Sequence, residues 1–285
     1  MQSIYKSPEG EQAIKDRYRQ FLKYWPVTNE QLRVPTREGE TFVIASGSKV
    51  APPVILLHGT AINSIMWMGD ISTWTHDFRV YAVDIIGDAG LSAPSRPAYT
   101  SDAHALWLDD VLQSLGVQKA SFVGISLGGW IALDYAARRP ERVTSVVGIA
   151  PGGLASKNVL VWVLPLLLLG KWGWKKIAAK ISGPASANPS PAEKAVSEFM
   201  ATVFKNMRQR RKSLPDLSDE CLKRFRMPLL AILAGKDVFV DAQRAVERLK
   251  RNVPKAEINF LPDAYHSITN QTQPILEFLR AVHRP

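Results

Sequence analysis

Short apolar runs alternate with helical patterns along most of the 285-residue chain, and this alternation restricts the possible fold more than any other feature. Strands that are apolar along their whole length are typical of a parallel sheet with both faces covered. The chain is therefore predicted to have an α/β fold, with a mostly parallel central sheet and helices on both faces. The predicted strands are 41–45, 54–57, 79–83, 120–123, 143–149, 228–234 and 258–261, and the helices between and after them are 101–115, 127–138, 241–251 and 269–282.

An N-terminal helix and a long insertion lie outside this alternation. Ser7 and Pro8 predict the start of a helix that Pro26 ends, and a polar turn is expected after it. The stretch 152–226 has helix-like pieces but no strand pattern, so it is expected to form a helical cap. The predicted domain organisation is a core whose first part is 1–151, a cap at 152–226, and the second part of the core at 227–285.

The segment Gly124-Ile125-Ser126-Leu127-Gly128-Gly129 carries the strongest chemical signal. It follows a predicted strand and precedes a predicted helix. A serine at such a sharp turn needs small residues two positions away on each side, because the backbone is strained and closely packed there. The turn exposes the hydroxyl of Ser126 as a nucleophile, and the Leu127 amide at the helix N-terminus can face a developing oxyanion.

With this turn in its strand–turn–helix context, the chain resembles the α/β-hydrolase superfamily in its capped esterase branch, from about Thr41 to the C-terminus outside the insertion. The resemblance implies that the Thr60 amide, in His58-Gly59-Thr60, is the second oxyanion donor and that His58 has a structural role. It also implies that Asp237, in Ala234-Gly235-Lys236-Asp237, is the acid that orients the catalytic histidine. The histidine itself is then His266, in the loop after the last strand, and the order Ser126, Asp237, His266 fits the family.

Other candidates for these roles are weaker. Asp241 and Asp263 remain possible acids, whereas the segment after strand 143–149 has no carboxylate. The remaining histidines, His76, His104 and His283, are expected at the surface.

One loop departs from the family pattern, because the run Asp84, Gly87, Gly90, Ser92 has an extra residue between its glycines. We interpret this as a variation beside the site that leaves the chemistry intact. Ser126 also argues against haloalkane dehalogenases and epoxide hydrolases, in which aspartate occupies the turn.

The predicted reaction is hydrolysis of a small-molecule carboxylic ester through an acyl-enzyme on Ser126. Trp67, Trp130 and the apolar cap suggest an apolar pocket for the acyl or alcohol part. A thioesterase, lactonase, amidase or carbon–carbon bond hydrolase with the same residues is an alternative. A ligand-binding receptor or scaffold with little turnover is an alternative of another class. The sequence has no zinc-type cluster, phosphate-binding loop or dinucleotide fingerprint, so neither a metal nor a cofactor is expected.

Charge and cysteine content bear on partners and location. The net charge is +10, and segment 170–226 contributes most of it with thirteen Lys or Arg against five acids. Solvated helix faces are the favoured interpretation, nucleic acid is not expected, and a membrane surface is a less favoured partner that the apolar run 159–169 suggests. The single cysteine, Cys221, and the lack of an apolar run in the first ten residues predict a cytoplasmic protein.

Overall fold

The fold is built on an eight-stranded sheet in the order β1-β2-β4-β3-β5-β6-β7-β8. The structure is a computed structural model that describes residues 3–184, 186, 188–210 and 212–284. Strands β1 and β2 pair antiparallel, β2 pairs antiparallel with β4, and the other pairs are parallel. The strands are Asn29–Val34 (β1), Thr41–Ser46 (β2), Pro53–Leu57 (β3), Arg79–Val83 (β4), Ala120–Ile125 (β5), Val143–Ile149 (β6), Leu229–Ala234 (β7) and Glu257–Leu261 (β8).

Ten α-helices are present in the described part of the chain, with two short 3₁₀ turns at Ser64–Trp67 and Pro140–Arg142. The α-helices are Pro8–Leu22 (α1), Ile71–Trp74 (α2), Ala103–Ser114 (α3), Leu127–Arg138 (α4), Leu160–Leu167 (α5), Gly170–Ser182 (α6), Pro191–Asn206 (α7), Asp219–Leu222 (α8), Ala242–Asn252 (α9) and Thr272–His283 (α10). The mostly parallel α/β fold is therefore confirmed, and all seven predicted strands are present.

A turn follows the first helix as predicted, but the sequence analysis missed a strand between that turn and β2. The helix ends at Leu22, three residues before the expected end, and Asn29–Val34 form β1 at the edge of the sheet. This strand is polar and only Val34 in it is buried, so it carries none of the continuous apolar pattern of the inner strands. It is held by antiparallel pairing with β2, a long-range contact.

Two apolar cores lie on the two faces of the sheet. Successive residues of β5 point to opposite faces, so Phe122 joins one core and Val123 the other. The first core includes residues of α3, α4 and α9, and the second includes residues of α1, α2, α7 and α10. The carboxyl ends of the parallel strands are therefore fixed from both sides, and β5 ends immediately before Ser126.

The segment between β6 and β7 contains α5, α6, α7 and α8, and no other described helix lies there. Helix α7 begins with a capping box in which Ser190 and Glu193 exchange hydrogen bonds. It packs on α1 through an edge-to-face contact between Phe21 and Phe199, whose ring centroids are 5.9 Å apart. Arg211 of the basic segment lies outside the described residues. None of the described helices combines the length and the apolar character that crossing a membrane requires.

Candidate active site

Ser126 lies at the sharp turn between β5 and α4, with φ 52° and ψ −109°. This is a conformation that residues with a side chain rarely adopt, so the surrounding structure must hold it. A Cβ atom on Gly124 would lie 2.4 Å from the carbonyl carbon of Gly128, and one on Gly128 would lie 2.1 Å from the carbonyl oxygen of Leu57. Glycine is thus needed on each side of Ser126, as the sequence pattern predicted, because backbone atoms occupy the space that a side chain would need.

The turn brings Ser126 to His266, which follows β8. The distance between Ser126 Oγ and His266 Nε2 is 3.0 Å, and His266 Nδ1 lies 2.7 Å from Asp237 Oδ2. Asp237 and His266 are both buried, while Ser126 is half-buried. The three residues come from three different loops at the carboxyl ends of β5, β7 and β8, which lie on the same edge of the sheet. Strand β6 lies between β5 and β7, so the loops after β7 and β8 bring the acid and the histidine to Ser126.

Asp237 is fixed from several directions. Its second oxygen, Oδ1, accepts hydrogen bonds from the amides of Phe239 (2.7 Å) and Val240 (3.1 Å). The Lys157 ammonium donates to the Asp237 carbonyl oxygen at 2.8 Å. The Phe239 ring contacts the His266 imidazole edge to face, with centroids 4.7 Å apart. The carboxylate therefore has one oxygen occupied by the backbone and the other directed at the histidine.

His58 organises the loop on the other side of Ser126. Its Nε2 accepts a hydrogen bond from the Ile85 amide at 2.8 Å, so its Nδ1 carries the proton and donates to the Gly59 carbonyl oxygen at 2.7 Å. The His58 carbonyl oxygen accepts from the Gly128 amide at 3.1 Å, which ties this loop to the start of α4. His58 is buried and engaged on both ring nitrogens, as expected for a structural residue.

The amide groups proposed for the oxyanion remain available. Among the described residues, neither the N–H of Thr60 nor that of Leu127 donates a hydrogen bond. The neighbouring N–H of Ala61 is engaged by Asp88 Oδ1 at 2.8 Å, in a residue with φ 61°. Burial raises the pKa of Asp88, while the hydrogen bonds from the Ala61 and Ala89 amides act in the opposite direction. Leu127 directly follows Ser126 in the chain, and a Cβ atom on Gly59, the residue before Thr60, would lie 3.9 Å from the Ser126 Cβ.

The loop with the extra residue supports this arrangement. Asp84 is fully buried and accepts from the hydroxyls of Tyr18 (2.9 Å) and Ser64 (2.7 Å), and from the Leu91 amide (2.9 Å). A Cβ atom on Gly90 would lie 2.5 Å from Asp84 Oδ2, so glycine is required there. The loop folds around one buried carboxylate. The sequence placed Asp84 in a motif but gave no signal for its partners Tyr18 and Ser64.

A cavity of about 300 Å³ lies at the carboxyl ends of β5 and β6, and Ser126 and His266 are not among the residues that line it. Ile125 and Ile149 line it, and they are respectively the residue before Ser126 and the residue whose carbonyl accepts from the Ser126 amide. Asp70 adds a partly buried carboxyl group, and burial raises the pKa of this group. The other lining residues are Met66, Trp67, Gly69, Trp74, Ile268, Thr269, Asn270, Gln271, Thr272 and Ile275. The walls are therefore apolar next to the strands and polar at the loop that follows His266.

The two tryptophans expected in a pocket have different positions. Trp67 lines the cavity, as the sequence suggested. Trp130 does not, because it is packed against Tyr99 and His104 and its Nε1 donates to the Pro215 carbonyl at 3.0 Å. Trp130 joins the end of the inserted segment to α4, and the prediction that it contributes to a pocket was wrong.

The weaker acid candidates lie in other structural roles. Asp241 caps α9 by accepting from the Arg244 amide, and Asp263 forms an exposed ion pair with Lys236 at 2.8 Å. Neither carboxylate forms a hydrogen bond with His266, whose Nδ1 is engaged by Asp237.

The surface prediction for the remaining histidines is correct only for His76, which is exposed. His104 is 1% exposed and stacks on Tyr99, with ring centroids 5.4 Å apart. His283 is half-buried, and its Nε2 lies 2.9 Å from the Ser121 hydroxyl. Both are on amphipathic helices, where one face points inward, and the sequence did not separate the two faces. In the described ranges no group of three His, Cys, Asp or Glu side chains is placed to hold a metal ion.

Comparison with known proteins gives consistent matches. A family model described as the alpha/beta hydrolase fold matches residues 52–174. Carboxylesterase YbfK of Bacillus subtilis is 33% identical over 271 residues, which cover 92% of each chain. Another Bacillus subtilis carboxylesterase, nap, is 32% identical over 279 residues, covering 88% of this chain and 85% of that protein. The crystal structure of naproxen esterase (carboxylesterase NP) from Bacillus subtilis has a TM-score of 0.84 and 30% identity, and covers 98% of this chain and 100% of that one.

Proposed function

The chain belongs to the α/β-hydrolase family and is a carboxylic ester hydrolase, and from that premise we propose that it cleaves its ester through an acyl-enzyme on Ser126. The observation that carries this proposal is the continuous contact from Ser126 Oγ to His266 Nε2 (3.0 Å) and from His266 Nδ1 to Asp237 Oδ2 (2.7 Å). A hydroxyl is a weak nucleophile until an adjacent base takes its proton, and this is the contact that such a transfer needs.

Acylation follows from the geometry. As the Ser126 oxygen attacks the ester carbonyl carbon, its proton passes to His266 Nε2. The negative charge of the tetrahedral intermediate lies on the former carbonyl oxygen, where the amides of Thr60 and Leu127 stabilise it. Asp237 keeps the proton of the imidazole on Nδ1 and stabilises the imidazolium. The bond to the alcohol oxygen then breaks, and His266 gives its proton to the departing alcohol.

Deacylation uses the same groups in reverse. A water molecule loses a proton to His266 Nε2 and attacks the acyl carbon. The intermediate collapses with cleavage of the bond to Ser126 Oγ, which takes the proton back from His266, and the carboxylic acid leaves. These steps require no group beyond the chain and water.

The inserted segment is proposed to cover this site. The Ser267 amide, next to His266, donates to the Ile181 carbonyl at the end of α6 at 3.2 Å. A Cβ atom on Gly183 would lie 2.9 Å from the Tyr265 ring, so the chain after α6 runs closely over the histidine loop. These contacts support the assignment of 152–226 as a cap between the core segments 1–151 and 227–285.

For the substrate, we propose an ester with an apolar part that fits the cavity beside Ile125 and Ile149. A volume of about 300 Å³ is at the lower end of small-molecule sites. It suits a medium-length acyl chain or one aromatic group. Because naproxen esterase is among the similar structures, a naproxen ester is a direct comparison substrate. The cytoplasmic location predicted from the single cysteine also remains a proposal, supported by a free and half-buried Cys221.

The first experiment is steady-state hydrolysis of p-nitrophenyl esters of increasing acyl length by the full chain and by Ser126→Ala. We expect the substitution to lower kcat by roughly 10⁶-fold, and the exposed Ser114→Ala to leave it unchanged. Mass spectrometry should find the acyl group on Ser126 in the intact protein. Equal turnover by the Ser126→Ala protein would mean that another residue is the nucleophile.

The same assay separates the alternatives. Faster turnover of a thioester, lactone, amide or β-diketone of equal size than of the matching ester would point to one of those activities. Single-turnover acylation without product release would point to a slow receptor. For the cavity, Met66→Trp should lower kcat/KM for long acyl chains and leave acetate esters unaffected, since Met66 lines it. Met68→Trp is the matched control, because Met68 is also half-buried but does not line the cavity.

A further inference from the structure

Exposed apolar side chains are concentrated on one part of the molecule, the helical hairpin formed by α5 and α6. Among the described residues, nine large apolar side chains are exposed, and five of them fall within 164–174. Their exposed fractions lie between 47% and 86%. Isolated exposed apolar residues are normal, but a concentration of this kind marks an interaction surface. We call these five the hairpin surface: Leu164, Leu168, Leu169, Trp172 and Trp174.

The charge around the hairpin surface has a single sign. The stretch 142–192 contains no Asp or Glu at all. Lys175 and Lys176 are exposed directly after the two tryptophans, and the Lys176 ammonium lies 5.2 Å from the centre of the Trp172 ring. Cations and apolar groups therefore share the same short surface, with no acidic side chain from the hairpin to neutralise them.

We propose that the hairpin surface binds to an anionic lipid surface. Leucine side chains gain free energy on entering the acyl region, tryptophan is favourable at the level of the headgroups, and lysine attracts anionic headgroups. The long lysine side chains can remain in water while the apolar residues beside them are buried. Helix α5 has only eight residues and no described helix is long enough to span, so the attachment is to one leaflet.

The hairpin is directly connected to the proposed catalytic site. Helix α6 carries Trp172 and Trp174 near its start, and its end is bonded to the loop of His266 through Ile181 and Ser267. The hydroxyls of Ser182 and Ser267 are also 2.9 Å apart. Attachment through the hairpin surface would therefore hold the site one helix length from the lipid. Apolar esters accumulate in the lipid, so the site would lie close to its substrate. This consequence for substrate supply rests on the proposed function, whereas lipid binding itself does not.

Binding is tested by sedimenting the full chain with vesicles of phosphatidylglycerol, and with phosphatidylcholine vesicles as the neutral comparison. We expect binding to phosphatidylglycerol that weakens as salt is added, and much weaker binding to phosphatidylcholine. The Lys175→Gln/Lys176→Gln variant should lower the partition coefficient about thirtyfold, since each lysine near the surface contributes about fivefold. Leu168→Ser/Trp172→Ser should lower it on both kinds of vesicle.

Matched controls are Lys250→Gln/Arg251→Gln in α9, which removes the same charge elsewhere, and Phe260→Ser, which removes an exposed aromatic residue. Both should bind as the unmodified chain does. Ser126→Ala should also bind vesicles normally. Failure of the catalytic proposal would therefore appear in the hydrolysis assay, and failure of the lipid proposal in the vesicle assay. Circular dichroism melting checks that each variant is folded.

Three results would overturn the proposal. The first is that the unmodified chain does not bind vesicles, and the second is that the α9 control loses as much vesicle binding as the Lys175→Gln/Lys176→Gln variant. The third is that the chain forms dimers without lipid and that Leu168→Ser/Trp172→Ser converts them to monomers. The third would identify the hairpin surface as a contact between two copies of the chain. Hydrolysis of a lipid-dissolved ester should rise on phosphatidylglycerol vesicles for the unmodified chain and for the two control variants, but not for the two hairpin variants. Turnover of a water-soluble acetate ester should stay equal in all of these proteins.

Discussion

Asp237 illustrates how much a single side chain does at the site. One oxygen accepts two backbone amides and the other faces His266, so both the loop and the imidazole depend on the same carboxylate. The residue type was predictable, because a carboxylate after that strand fits the serine–histidine chemistry. Its supports were not, because Lys157 lies 80 positions away in the sequence and the pattern around it carries no signal.

Asp237→Asn is expected to lower kcat for p-nitrophenyl esters by about 10⁴-fold. The amide of asparagine can keep the loop hydrogen bonds through its oxygen, but its other group is a donor and favours the wrong tautomer of His266. Steady-state kinetics near neutral pH gives the measurement. Asp263→Asn, at an exposed ion pair, should retain full activity, and the reverse ranking of the two variants would assign the acid to position 263.

His104 shows what the sequence could not reveal at the residue scale. It is buried between Tyr99 and Trp130, and its Nδ1 makes no hydrogen bond with any described residue. Burial first, and then the charge of Arg210, lower the pKa of His104 to about 4. A histidine in a helix pattern gives no indication of which face is buried until the partner element is known.

The lowered pKa of His104 predicts a loss of stability in acid. Below pH 6.5 the unfolded chain binds a proton at this position that the folded chain does not bind until about pH 4, so the free energy of unfolding falls as pH falls. The loss from this group is about 2 kcal/mol by pH 5 and about 3 kcal/mol in full. Urea denaturation at pH 7.5 and pH 5 measures it.

His104→Phe should remove the part of the stability loss in acid that comes from this histidine, because a phenyl ring can stack on Tyr99 without a charge to bury. The exposed His76→Phe is the control and should leave the pH dependence as it was. The change in the free energy of unfolding between pH 7.5 and pH 5 is compared in the unmodified chain, His104→Phe and His76→Phe. If this change were the same in all three proteins, His104 would titrate normally in the folded chain.

At the scale of elements, close packing at the turn explains why the sequence motif is so specific. The position of a Cβ atom on Gly128 falls against the Leu57 carbonyl group, which belongs to β3. Leu57 in turn pairs with Gly124 of β5, so the two strands and the helix meet at one point with no room for a methyl group. Inner strands were predictable because they are buried on both faces, and β1 was missed because a polar edge strand depends on its neighbour.

Gly128→Ala is expected to lower the free energy of unfolding by about 3 kcal/mol or more and to abolish labelling of Ser126 by a fluorophosphonate. The conflict is with the backbone, so no side chain can rotate to relieve it. Gly69→Ala is the matched control for stability, because no atom lies within 4 Å of its added Cβ and its φ is not positive. An unchanged denaturation midpoint for Gly128→Ala would mean that the turn can relax.

At the scale of the whole molecule, the sequence predicted an insertion but not what holds it. The N-terminal segment crosses to the insertion: the Lys6 amide donates to the Asn206 carbonyl and the Arg208 amide to the Ile4 carbonyl, both at 2.8 Å. Net charge likewise indicated a basic segment, yet only the fold reveals that exposed tryptophans accompany its first lysines. Such arrangements depend on contacts between distant segments, which hydrophobic periodicity does not encode.

Phe199 is the residue that best tests whether the inserted helices and α1 open as one unit. It is fully buried on α7 and meets Phe21 of α1, so Phe199→Ala should cost about 3–5 kcal/mol of packing free energy. Hydrogen exchange should accelerate in both α1 and α7, because each covers the other, while β5 and β6 retain their protection. Phe204→Ala, on the same helix but exposed, should leave exchange in α1 unchanged. If Phe199→Ala accelerated exchange in β5 as much as in α7, the inserted helices would belong to a single cooperative unit with the sheet and could not open separately over Ser126.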